Sequence, residues 1–174
     1  MRFANKTVLR VMAANVPSVG YKVFEIRPGT TQTFSQAATS TTTTIENSFY
    51  RVTVAPDGAI TSLIDKTRGN RETVRNIDGK VLNDIGGNRS GTLTLENAGP
   101  VSVTLRAIST SPLAHTTRIT LFRDSDRIDV VNEITQNFSN VRHWSYSFEL
   151  ASPDVWHEEV GAVIRGKLTT NGGH

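Results

Sequence analysis

Four histidines (His115, His143, His157 and His174) and no cysteine set what acid–base or metal chemistry this 174-residue chain could perform. Without cysteine there are no disulfides and no thiolate metal sites. His157-Glu158-Glu159 opens like the H-E-x-x-H zinc motif, but Gly161 stands where the second histidine belongs. A zinc site needs three or four converging ligands, and this spacing supplies one. Asp124, Asp126 and Asp129 form D-x-D-x-x-D, an oxygen array of the kind calcium loops use. Such loops need glycine at their sixth position, where this chain has Asp129. The trio therefore reads as a charged hairpin turn, with Asp129 on the wet face of the next strand. No nucleophile elbow, phosphate-binding loop or dinucleotide fingerprint occurs. Carboxylates are numerous, but their spacing does not set two of them across a glycosidic bond.

The remaining chemistry is aromatic. Trp144, Tyr146 and Trp156 cluster late in the chain, with His157 beside the last. Trp144 and Tyr146 share one side of a strand by two-residue alternation, and His143, Ser145 and Ser147 share the other. Aromatic faces stack on sugar rings as they stack on other apolar surfaces. Two readings follow: packing into a core, to which the balance tilts, or a carbohydrate-contact patch of Trp144, Tyr146, Trp156 and His157.

Strands must position these residues. Val, Thr and Ser are abundant, and nearly every apolar cluster is short and alternates with polar residues. The pattern predicts strands over Thr7–Met12, Tyr21–Ile26, Phe49–Val54 and Ile60–Ile64. Further strands are expected over Gly91–Glu96, Val101–Ile108, Thr116–Phe122, Arg127–Ile134 and Arg142–Leu150, with a last one from Val160 to Leu168. Turn residues separate them, among them Pro56-Asp57-Gly58, Asn97-Ala98-Gly99-Pro100 and Ser152-Pro153-Asp154. Regular short strands without helical periodicity between them indicate an all-β fold, an antiparallel β-sandwich or barrel. The Thr-rich run TTQTFSQAATSTTTTIE reads as an exposed linker or edge strand, and NIDGKVLNDIGGNRSG reads as a long loop. The division expected is 1–44, N-terminal strands and the Thr-rich linker, then 45–174, the sandwich, unless 1–174 is one continuous domain.

Charge narrows the partners. The formal net charge is +3 with a sequence pI near 9.5, but Lys and Arg are never adjacent and acidic residues are interleaved with them. A nucleic-acid face needs a clustered basic patch, so no nucleic-acid partner is expected. No apolar run approaches the twenty residues of a membrane helix, so no membrane partner is expected either. The N-terminus lacks the long apolar stretch of a signal peptide, which is compatible with a cytoplasmic bacterial enzyme.

Three segments in order carry a family likeness. VPSVGYKVFEI supplies Val16, Pro17, Gly20 and Tyr21 of a V-P-x-x-G-Y pattern. IENSFYRV supplies Glu46, Asn47, Tyr50 and Val52 of E-N-x-x-Y-x-V. The hairpin PDGAITSLIDK supplies Asp57, Gly58, Ile60, Ser62, Leu63, Asp65 and Lys66 of D-G-x-I-x-S-L-x-D-K, with one residue fewer after Gly58 than the fullest form. LFRDSDRIDVVNEI and EEVGAVIRGKL look like later strands of the same family. Together they resemble the region that follows the catalytic domain in glycoside hydrolase family 38, the α-mannosidases.

The resemblance implies a β-sandwich of the galactose-mutarotase-like (supersandwich) type, here part of a larger sandwich. It implies a non-catalytic domain that supports the catalytic domain of the same polypeptide and contacts mannosides. The family's reaction is zinc-dependent, retaining hydrolysis of α-mannosides. Its zinc and its carboxylate nucleophile belong to the catalytic domain. No segment here matches those motifs, so no catalytic residue, metal ligand or cofactor is assigned to this chain. The alternatives are an autonomous carbohydrate-binding module and a mutarotase-like enzyme using His143, His157, Glu158 and Glu159. The far-ultraviolet circular-dichroism spectrum of the chain should be dominated by antiparallel strand, and a helical spectrum would contradict the two-residue alternation.

Overall fold

The structure is a computed structural model that describes residues 9–30 and 33–166. It is all-β, and every strand pairing is antiparallel. The first sheet contains β1 (Thr39–Ser40), β2 (Thr44–Glu46), β3 (Tyr50–Val54), β4 (Ile60–Asp65), β5 (Arg71–Glu72), β6 (Leu82–Asp84) and β11 (Ser145–Tyr146). Its order is β1-β2-β3-β4-β6-β11, with β5 paired to β4 off that path. The second is a meander of β7 (Thr92–Ala98), β8 (Ser102–Ser109), β9 (His115–Phe122) and β10 (Ile128–Ile134). A separate hairpin joins β12 (Trp156–Glu159) to β13 (Ala162–Arg165). No helix among the described residues is long and apolar enough to cross a membrane.

The sandwich core follows from alternation. Ile45, Val52, Val54, Ile60 and Leu82 of the first sheet form one buried cluster with Val103, Leu105, Ile119 and Leu121 of the second. Each such side chain contributes about 1.5–3 kcal/mol when fully buried. Tyr50, Val52 and Val54 share the inner face of β3, as their spacing predicts, with Leu63 opposite Val52 and Ile60 opposite Val54. The β3–β4 turn contains Asp57-Gly58, and Gly58 has φ +90°.

The family-like residues of this hairpin are used as scaffold. Asn47 accepts from the backbone N–H groups of Phe49 and Tyr50, and its amide donates to the carbonyls of Phe122 (3.0 Å) and Ser125 (3.2 Å), tying the first sheet to the β9–β10 turn. Lys66 Nζ donates to Glu46 Oε1 and to the Asn47 carbonyl, both at 2.8 Å. Asp65 caps the short 3₁₀ turn Lys66–Arg68 by accepting from the Thr67 N–H.

Five sequence expectations are corrected. Residues 9–12 and Tyr21–Ile26 are not strands; Thr7 and Val8 lie outside the described residues. Alternation gives strand propensity, but a strand also needs a partner for its backbone donors and acceptors, and this segment pairs with none. The glycine-rich segment 76–91 is not simply a loop: it holds β6, whose three residues are all buried. Arg142–Leu150 shortens to the two-residue β11 and an isolated bridge between Val74 and Phe148. The strand expected from Val160 is instead the second arm of a hairpin, because Val160 (φ +47°) and Gly161 (φ +81°) form its turn; Leu168 lies outside the described residues. The Thr-rich run supplies the edge strand β1 and its inner neighbour β2, so the first sheet begins at Thr39.

A Cβ on Gly58 would sit 2.5 Å from Thr117 Cβ, on backbone whose φ already disfavours a side chain. Gly58→Val should therefore cost at least about 2 kcal/mol. Val52→Ala should cost about 1–3 kcal/mol through lost burial and a residual cavity. Urea denaturation of both variants checks the register, and wild-type midpoints would refute it.

Candidate functional site

The structure gathers polar residues where the β3–β4 turn meets β6 and the ends of β9, β10 and β11. Asp57 is buried in the turn, and its carboxylate accepts from the Ala59 N–H at 3.1 Å. Asp84 at the end of β6 has no exposed surface. It accepts from the N–H groups of Val81 (3.0 Å) and Gly86 (2.7 Å). Arg89 bridges the two carboxylates, with Nη2 2.5 Å from Asp84 Oδ2 and Nη1 3.4 Å from Asp57 Oδ2. Its Nη2 also donates to the Gly79 carbonyl at 3.2 Å. One guanidinium thus fastens the hairpin tip to both ends of the 79–89 segment.

Beside this ion cluster lies an amide pair. Asn83 adopts left-handed backbone (φ +52°), which asparagine tolerates better than most residues. That conformation lets its amide reach inward. Asn83 Nδ2 donates to the Gly58 carbonyl (3.2 Å) and to Asn132 Oδ1 (3.1 Å), and Asn132 Nδ2 returns a bond to Asn83 Oδ1 at 2.6 Å. The Thr117 hydroxyl donates to Asn132 Oδ1 at 2.7 Å. The buried His115 ring lies between two backbone carbonyls, with Nδ1 2.8 Å from Leu113 O and Nε2 3.0 Å from Asp57 O.

The expected aromatic patch divides. Tyr146 reaches the amide pair, its hydroxyl donating to Asn83 Oδ1 at 3.3 Å while the residue stays 55% exposed. Trp144 is half-buried and meets His115 edge-to-face, with ring centroids 6.3 Å apart. Trp156 and His157 sit on β12, in the separate hairpin. Trp156 is 56% exposed opposite Arg165, and His157 Nε2 is 3.6 Å from Glu159 Oε2. Core burial of these aromatics, the reading to which the balance tilted, does not hold for Tyr146 or Trp156. β11 is the last strand of its sheet, so its outward side has no layer to bury it.

Chemically the cluster is closed. Both buried carboxylates face a guanidinium and backbone donors, and the amide oxygens accept from within the cluster. Neither carboxylate is free to take a proton from a substrate. Only the rim, Tyr146 and Trp144, offers an aromatic face to a ligand. Among the described residues no group of three or more His, Asp or Glu side chains could hold a metal ion. Asp124 and Asp126 stay in the β9–β10 turn, and Asp129 pairs with Arg127. His143 is exposed just before β11.

Asn83, Asp84, Arg89 and Asn132 were not singled out from the sequence, and Asp57 and His115 were read there only as a turn residue and as one of four histidines. The one local signal was LNDIGGNR, in which apolar Leu82 and Ile85 bracket Asn83-Asp84 ahead of two glycines and an arginine. No family model, curated protein or solved structure matches the chain.

Burial pushes the Asp84 carboxyl upward, but the hydrogen bonds from Arg89, Val81 and Gly86 and the Arg89 charge outweigh it and hold the group below the usual carboxylate range. A depressed carboxylate stabilises the fold above its unfolded value, about 3.9 for Asp, and that stability is lost as pH falls through the folded value. Arg89→Met strips the counter-charge and should cost roughly 3 kcal/mol at neutral pH. In the variant only the Val81 and Gly86 N–H bonds and Lys80, 4.0 Å away, still oppose burial, so Asp84 takes up its proton at a higher pH than in wild type and the gap to wild type should narrow as pH falls from neutral into the acid range. Urea midpoints at neutral and acid pH test this; a gap independent of pH would show that Asp84 does not depend on Arg89.

Proposed function

We propose that this chain is a non-catalytic β-sandwich domain of an α-mannosidase-like glycoside hydrolase, resembling the region after the catalytic domain in family 38. It packs against the catalytic domain of the same polypeptide and offers the Trp144–Tyr146 edge to carbohydrate. The observation that carries this reading is the exposed apolar segment in the V-P-x-x-G-Y stretch. Tyr21 is 85%, Val23 79% and Ile26 82% exposed. A run of apolar, strand-patterned residues left in water calls for a partner surface. The E-N and D-K residues of the likeness support the same reading, because they hold the hairpin together instead of forming an acid–base pair. The parent reaction, retaining hydrolysis of α-mannosides, would draw its zinc and nucleophile from the catalytic domain.

An autonomous carbohydrate-binding module is the second reading, favoured by the exposed Tyr146 ring with its hydroxyl anchored on Asn83. Activity separates catalytic from non-catalytic readings. The 174-residue chain, supplied with zinc and an aryl α-mannoside, should give no turnover above the blank. The complete reading frame around it should encode a zinc-dependent catalytic region whose product hydrolyses the same substrate. Turnover by the chain that a substitution within it abolishes, or a frame with no such region, overturns the proposal.

A further inference from the structure

The outer face of the four-stranded sheet carries a groove of about 700 Å³, within the range of small-molecule sites. Its floor is hydroxylic. Thr104 on β8 and Thr120 on β9 point away from the core, and their hydroxyls lie 2.9 Å apart. Both are buried although they face outward, because long charged side chains stand around them. One wall is Arg118, whose Nε lies 2.9 Å from Glu96 Oε2. A register slip between Leu95 and Asn97 of β7 marks a bulge at Glu96, which swings this carboxylate over the sheet face towards both Arg118 and Arg106. The other wall is Asp129 of β10 and Arg10 of the N-terminal segment, whose guanidinium bonds Ser102 Oγ. The β7–β8 turn closes one end, and Phe122 and Val131 add apolar surface.

We propose that this groove binds a neutral oligosaccharide. The proposal takes its ligand class from the carbohydrate reading above but concerns a different face from the Trp144–Tyr146 edge. Three features select the ligand. First, charges of both signs are paired around the groove, Arg106 and Arg118 with Glu96 and Arg127 with Asp129, so it shows no cluster of unpaired cations that would select an anion such as a nucleotide or an acidic sugar. Secondly, β8 and β9 are paired on both sides, so an extended peptide would find no free backbone edge to join. Thirdly, what the groove does offer is hydroxyls, carboxylates and guanidinium forks, side chains that donate to and accept from the paired hydroxyls of a sugar, with apolar surface for its ring face.

The test titrates the ¹⁵N-labelled full chain with a neutral mannotriose and follows backbone amide shifts. Saturable shifts should concentrate on β8 and β9 around Thr104, Arg118 and Thr120. Thr120→Val keeps the side-chain shape and removes the hydroxyl; it and Glu96→Gln should each weaken binding by about tenfold, whereas Val163→Ala, exposed on the separate β12–β13 hairpin, should leave it within about twofold. Should Thr120→Val not fold, Asp129→Asn in the wall, about a third exposed, carries the same expectation. Shifts confined to residues around Asn83 and Tyr146 would overturn the groove and leave the carbohydrate reading standing. Absence of shifts with mannotriose and with neutral glucose-, galactose- and N-acetylglucosamine-based trisaccharides would overturn the groove and remove support for sugar contact by this chain. Tighter binding of an extended peptide than of any sugar would overturn it in favour of a protein partner.

Discussion

The two sheets meet at the β3–β4 turn because Gly58 has no side chain. Its backbone lies against the Thr117 side chain of the opposite sheet, closer than any Cβ could come. That approach brings the Asp57 carbonyl to His115 and the Gly58 carbonyl to Asn83. Two backbone acceptors that the tight turn would otherwise leave buried and unmatched are thereby satisfied across the sandwich. The hairpin tip, β6 and β9 hold one another at this point, and the Arg89 cluster forms on the same side.

The opposite end of the same hairpin is fastened by different chemistry. There Asn47 spans from its own turn to the β9–β10 turn, and Lys66 ties Glu46 to the Asn47 carbonyl. The Glu46 carboxyl is held below its usual range chiefly by its hydrogen bonds from Arg51 and Lys66. The hairpin is thus pinned to the second sheet at both ends, by Asn47 at one and by the Gly58–Thr117 contact and the Asp57 carbonyl against His115 at the other. Between them the apolar cluster of Val52, Leu105 and Ile119 needs no polar help.

Polar groups fall into two kinds of environment. The cluster at the hairpin tip is buried, and its donors and acceptors are spent on one another, which makes it a structural device. The outer face of the second sheet is also rich in paired charges, but Arg118, Glu96 and Asp129 remain about a third exposed around a concave floor. A saturated, enclosed network holds a fold in register. A balanced and accessible one can exchange its partners for those of a ligand.

Strands and their faces were legible from residue order wherever alternation and a sheet partner coincide. Val52 and Val54 inside, Gly58 in the turn and the β8–β9–β10 meander were all legible, because a two-residue period leaves one side to bury. Tertiary structure decided the rest. Tyr21–Ile26 has the alternation of a strand but no neighbour to pair with, and so it is not one. β6 is buried in a stretch of glycine and asparagine because Arg89 satisfies Asp84 while the hairpin tip and Asn132, 25 and 49 residues from Asn83, satisfy Asn83, and those distant partners no local pattern encodes. The cluster of Asp57, Asp84, Arg89, His115 and Asn132 was invisible for the same reason. Apart from Asp84 and Arg89, its members lie far apart along the chain, and only the packing of one sheet on the other brings their polar atoms within bonding distance.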